Sequence, residues 1–187
     1  MANFSLSEFD YENDIEQIKQ WKKLYKNTPE YKKIVQYILD NNENDNLARL
    51  FRDLHDKHRI GNDEINLVLV SKDETGNIVG ALVVDAYGKT QKNSKCYVHF
   101  VLTNPAFHHQ GVAKNMLKTF FLKPEEFLGT VPNEVFANIR KNNQQSLGLF
   151  KSLGFDHRIE CASSRLTQVR APLEEIQAHI QNQPFLN

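Results

Sequence analysis

The chain has 187 residues, 40% hydrophobic and 25% charged, which suits one folded domain with a substantial core and argues against a disordered or membrane-spanning class. Its 23 basic and 23 acidic side chains cancel, so net charge gives no basis for a nucleic-acid or anionic-membrane partner. The N-terminal stretch MANFSLSEFDYEND is acidic and polar, unlike a secretory signal, and Cys96 and Cys161 match no metal spacing, so reduced thiols in the cytoplasm are expected.

Residues 4–9 alternate in hydropathy and read as a first strand. Tyr11 to Tyr25 follows with Ile15, Ile18, Trp21, Leu24 and Tyr25 at helical spacing. Thr28-Pro29-Glu30 opens a second helix through about Leu39. After a polar break at 41–45, Leu47, Leu50, Phe51 and Leu54 form a third amphipathic helix ending near Gly61. A strand at 65–70, a hairpin turn at 74–77 and a returning strand at 78–84 come next. A polar loop at 88–95 leads to a strand at 96–102.

Residues 99–121, HFVLTNPAFHHQGVAKNMLKTFF, are the most informative stretch. A β-type apolar run ends at Asn104-Pro105, a polar turn holds Gly111, and a helical pattern begins at Val112. Strand, turn and helix in that order gather unpaired backbone N–H groups at the helix start, which suits a phosphate or pyrophosphate. Gly111 has no Cβ to obstruct a close approach, and Ala113 keeps the next turn slim. The same residues also fit an ordinary strand-to-helix connection with a convenient glycine.

Beyond that helix, Lys123-Pro124 interrupts the pattern and residues 129–133 read as a loop. A strand at 135–139 and a polar turn precede a helix with Leu147, Leu149, Phe150 and Leu153 on or near one face, stopped by Gly154. Residues 159–169 hold enough alternation for two short closing strands, and Pro172 opens a last amphipathic helix through about Ile180. No repeat or linker divides the chain.

The two strand–turn–helix blocks together resemble the acetyl-coenzyme A motifs of the GNAT superfamily of N-acetyltransferases. The family's first motif, Val-x-Pro followed by Arg/Gln-x-x-Gly-x-Gly/Ala, is matched by Thr103-Asn104-Pro105 and His108-His109-Gln110-Gly111-Val112-Ala113. Its second, Asn-x-x-Ala-x-x-Leu-Tyr-x-x-Leu-Gly-Phe, is matched by Asn143, Ser146, Leu149, Phe150, Leu153, Gly154 and Phe155. The resemblance implies one α/β (α+β) GNAT domain over residues 1–187, a central mixed, mostly antiparallel sheet of six to seven strands flanked by helices. It implies acetyl-CoA as cosubstrate and a primary amine, of a small molecule or a protein, as acceptor. By the same likeness, backbone groups of Val101, Leu102 and Thr103 bond the pantetheine arm. The turn and helix start from His109 through Gln110, Gly111, Val112 and Ala113 to Lys114 bind the pyrophosphate, and Asn143 and Phe150 complete the cofactor side. His108 stands where the family has Arg or Gln, which brings less charge toward phosphates.

Amine acetylation requires a proton acceptor. A primary ammonium with a pKa of about 10.4 is short of deprotonation at pH 7 by about 3.4 units, or roughly 4.6 kcal/mol. His99 suits that role at neutral pH, and its position matches one of two strand histidines of arylalkylamine N-acetyltransferases, with Tyr97 at the other. Strand alternation sets Tyr97, His99 and Val101 on one face and Val98, Phe100 and Leu102 on the other, and a histidine among apolar neighbours also fits a hydrogen-bonded core residue. The family's tyrosine acid is replaced by Phe150, which leaves Tyr97, Tyr87 or water to protonate the departing thiolate. An acyl-CoA-binding sensor or regulatory module with little turnover is the alternative, and a phosphate-binding α/β protein unrelated to acetyl transfer is a third reading. Trp21, Tyr25, Tyr31 and Tyr37 could line the acceptor side, and the amphipathic helices and C-terminal strands offer a homodimer surface.

Overall fold

The computed structural model describes residues 4–26, 64–88, 94–160 and 165–183. Seven strands form one sheet in the order β1-β2-β3-β4-β5-β7-β6, where β1 is Ser5–Glu8, β2 Glu64–Lys72, β3 Ile78–Tyr87, β4 Lys95–Thr103, β5 Glu134–Arg140, β6 His157–Glu160 and β7 Leu166–Pro172. Every neighbouring pair is antiparallel except β4 and β5, so the sheet is mixed as expected. Among the described residues five α-helices accompany it: α1 (Tyr11–Lys26), α2 (Val112–Leu122), α3 (Pro124–Leu128), α4 (Gln144–Lys151) and α5 (Leu173–Gln181). The helices expected at 28–39 and 47–61, and Tyr31, Tyr37 and Cys161, lie outside the described residues, as does the side chain of Tyr25.

The central strand β3 (IVGALVVDAY) is buried from Ile78 to Ala86 because both of its faces are covered, which is why it reads as a continuous apolar run. The turn joining it to β2 is set by Asp73, whose Oδ1 accepts from the backbone N–H groups of Thr75 and Asn77, each at 2.9 Å. Hydrogen bonds from these groups, the Thr75 hydroxyl foremost, hold the Asp73 carboxyl below its ordinary range. On one face, α2 lays Val112, Met116, Leu117, Phe120 and Phe121 into a core completed by Phe150, Phe155 and Ile176. On the other, Ile15, Ile18 and Trp21 of α1 cover Val68, Val70, Ala81, Val83 and Leu102. Trp21 is 2% exposed, so it is a core residue and not part of an acceptor-lining surface.

Several boundaries differ from the sequence reading, and the reasons are local. Pro124 ends the long helix but starts a short one, since proline suits the first helical turn. The closing strands β6 and β7 extend beyond 159–169 on both sides; they pair antiparallel, and β7 also takes the full length of β5 as partner. In β4 the register with β3 shifts, with Val84 opposite Val98 and Val83 opposite Phe100, so His99 is a bulge residue. The extra residue breaks the expected alternation. Val101 packs with the Val98 core, whereas Phe100 and Leu102 pack on the α1 face.

Candidate active site

Strands β4 and β5 pair only at their starts, the last register pair being Tyr97 with Phe136. Beyond it the two strands have no register pair among the described residues, which leaves a wedge on the β5 side of Val98 to Leu102. At the far end of β4, Asn104 Oδ1 accepts from Ala106 N–H at 3.1 Å and caps a 3-10 turn, Pro105–Phe107. The chain then bends through two left-handed residues, His109 (φ 59°) and Gly111 (φ 79°), directly into α2.

Gly111 is the N-cap of α2 and offers no side chain to its amides. The first bond of the helix runs from Asn115 N–H to the Gly111 carbonyl at 2.9 Å. The N–H groups of Val112, Ala113 and Lys114 precede it and have no acceptor among the described residues. A Cβ on Gly111 would meet no atom within 4 Å, so its positive φ, and not packing, requires glycine there. The Val112 side chain is buried, and Gln110 Nε2 donates to the Ala106 carbonyl at 3.3 Å. His108 Nε2 donates to the Thr103 carbonyl at 3.3 Å, which ties the turn back to β4.

Two residues not singled out from sequence shape this end of the wedge. A Cβ on Gly80 would lie 2.7 Å from Met116 and 2.8 Å from Val112, so glycine lets α2 settle against β3 beside Thr103, its register partner. Lys118 stands one helical turn after Lys114. Burial, and then the Lys114 charge, lowers the Lys118 ammonium from its ordinary value. The Lys-x-x-x-Lys spacing was the available signal.

On the second motif, Asn143 is the N-cap of α4, its Oδ1 accepting from Ser146 N–H at 3.1 Å, so Nδ2 is what its side chain can still offer a ligand. Phe150 is 3% exposed and packs edge-on against Phe155, with ring centroids 4.9 Å apart. It belongs to the core, and only a small edge remains for a ligand.

A polar and aromatic cluster surrounds Tyr97, at the last register pair of β4 with β5. Tyr97 stacks on Phe136 at 4.9 Å, meets the His99 ring edge-on at 4.2 Å, and accepts from Asn138 Nδ2 at 3.4 Å. His99 Nε2 is hydrogen-bonded to Asp85 Oδ2, and Tyr87 Oη donates to the same oxygen at 3.0 Å. Asp85 went unnoticed in the sequence, although a lone carboxylate inside the apolar run IVGALVVDAY was a visible signal. Close by on the opposite face, burial pushes the Cys96 thiol up, with the Asp85 charge adding to the effect. Cys96 therefore stays a protonated core thiol and no nucleophile.

A family model described as "Acetyltransferase (GNAT) family" matches residues 18–155. Among solved structures, a spermidine N-acetyltransferase SpeG chimera of Vibrio cholerae and hSSAT superposes with TM-score 0.57 at 14% identity, covering 96% of this chain and 99% of that one. The ribosomal-protein-S18-alanine N-acetyltransferase of Escherichia coli gives 0.55 at 13%, covering 91% and 94%. The NatC complex bound to Gag peptide and CoA gives 0.56 at 14%, covering 91% and 98%. These identities speak to the fold alone. No curated protein sequence matches the chain. The family match, over most of the chain and across both strand–turn–helix blocks, places this protein in the GNAT acetyltransferase family, as an acyltransferase.

Proposed function

We propose that this single-domain protein is an N-acetyltransferase that moves an acetyl group from acetyl-CoA to a primary amine by direct attack. The observation carrying this reading is the α2 entrance, where three successive amides have no acceptor among the described residues, reached by the short connection that follows β4, whose register with β5 stops at Tyr97. Those features fit a coenzyme A thioester: the amides suit its pyrophosphate, and the unpaired side of β4 suits its pantetheine amides. Charge-assisted hydrogen bonds contribute about 1.5–3 kcal/mol each, so three amides supply useful affinity before Lys114 and Lys118 are counted. Backbone groups of Val101, Leu102 and Thr103, with Asn143 Nδ2 from α4, are the expected partners of the arm.

Acetyl-CoA supplies a thioester carbonyl as the electrophile. His99 is the group that takes a proton from the ammonium, which frees the nitrogen lone pair for attack. The new C–N bond forms as the C–S bond breaks, and the electron pair of that bond leaves on sulfur. The second amine proton goes to the sulfur, with the Tyr97 hydroxyl as its relay. Coenzyme A thiolate tolerates this weakly assisted departure, since free thiols ionise at a pKa of about 8.5. Phe150, in the place of a tyrosine acid, is then compatible with turnover.

Titration calorimetry with acetyl-CoA, followed by thiol release over a panel of primary amines, tests the reading. Binding with turnover on at least one amine is the expected result. Binding without turnover on any amine favours an acyl-CoA-binding module, and no binding overturns both.

A further inference from the structure

We propose that Asp85 is a positioning residue that holds the His99 imidazole in one orientation and one tautomer, with Nδ1 bare for proton uptake. The inference rests on the reading of His99 as the base. His99 is the bulge residue of β4, and a bulge re-aims a side chain that the regular ladder would otherwise fix. Something else must then hold the ring.

Asp85 lies on the neighbouring strand β3, is 4% exposed, and faces the same side as Tyr97, its register partner. An ionised carboxylate only accepts, so its bond to His99 Nε2 requires the proton of the neutral ring to sit on Nε2. The lone pair is thereby left on Nδ1. That nitrogen has no hydrogen-bond partner among the described residues, and the side chain is 29% exposed. Tyr87 Oη donates to the same Asp85 oxygen at 3.0 Å and fixes it from a second direction.

The electrostatics favour the same assignment. Asp85 Oδ1 is buried and has no partner among the described residues, and the two donors to Oδ2 carry no charge while the ring is neutral. A buried carboxylate without a cation is costly. A proton taken up at Nδ1 turns His99 into that cation, so uptake is coupled to completing an ion pair. When the proton returns to solvent, the dyad reverts to its starting state.

Nitrogen-15 NMR of histidine-labelled protein tests this without any variant, with His99 assigned from the missing signal in His99→Gln. The expected result is a neutral His99 protonated at Nε2. A ring protonated at Nδ1 would overturn the proposal. In Asp85→Asn the tautomer should no longer be fixed, kcat should fall by about 10²- to 10⁴-fold, and the KM for acetyl-CoA should stay within about two-fold. The double variant with His99→Gln should lose no more than the larger single loss, because the two act as a unit. Losses that multiply, or a kcat within about three-fold of the parent, would sink the idea. Failure of acetyl-CoA to bind would overturn the function proposed above and leave the tautomer result standing, so the two failures are distinguishable. Should Asp85→Asn not fold, the parent spectrum decides alone.

Discussion

The two faces of the sheet are built on opposite principles. Beneath α2, α4 and α5 the packing is aromatic and tight: Phe120, Phe121 and Phe155 are 0–1% exposed, and Gly80 gives up its side chain so that α2 can approach. Beneath α1 the core is smaller and is flanked by buried charge, with Asp14 bound to Lys72 at 2.7 Å and Asp85 bound to His99. The first face positions a helix end by packing, and on the reading proposed above it would offer a ligand mainly backbone amides. The second carries the side chains that the proposed mechanism uses to move protons. Packing changes on the first face should therefore cost stability, and changes to the polar cluster on the second should cost rate.

The sharpest separation is expected from His99→Gln, which should lower kcat by about 10²- to 10⁴-fold while leaving the melting temperature and acetyl-CoA affinity near those of the parent. A parallel loss of stability would merge the two regions. Phe120→Ala should do the reverse and destabilise by about 3–5 kcal/mol in denaturant titration. Next comes Gly80→Ala, whose added methyl overlaps Met116 and Val112. It should cost about 1–3 kcal/mol and raise the KM for acetyl-CoA by moving the α2 entrance, coupling packing to binding. Gly111→Ala adds a Cβ in open space but at φ 79°, at a conformational cost of about 1–2 kcal/mol. Calorimetry should show acetyl-CoA affinity about ten-fold weaker, because on the proposed reading the methyl would stand where the ligand approaches. Asn143→Ala should have the smallest effect, about 1 kcal/mol of stability for the lost cap. An affinity loss larger than that would mean its Nδ2 works on the ligand.

How much of this was legible from sequence follows the range of the interactions. The α2 entrance was readable because its signals are local: Pro105, Gly111 and the onset of helical spacing at Val112 lie within a few residues of one another. Gly154 as a helix stop was readable for the same reason, and its φ of 93° agrees. The bulge at His99 was not. Nothing within β4 announces it, since it is defined only against the register of β3. The partnership of His99 with Asp85 spans 14 positions and follows from that register, so no spacing rule would find it. Asn143 shows the middle case, where the same residue type serves a local cap and suits a ligand, and local geometry has already engaged its oxygen.

The bulge also makes the dyad separable from its scaffold. Val98 and Phe100 already stand opposite Val84 and Val83, consecutive residues of β3, so excising His99 would leave an unbroken ladder with every flanking side chain on its present face. The imidazole is thus an inserted part in a strand that closes without it. A chain shortened by that one residue should keep its architecture, bind the thioester, and fall silent as a catalyst.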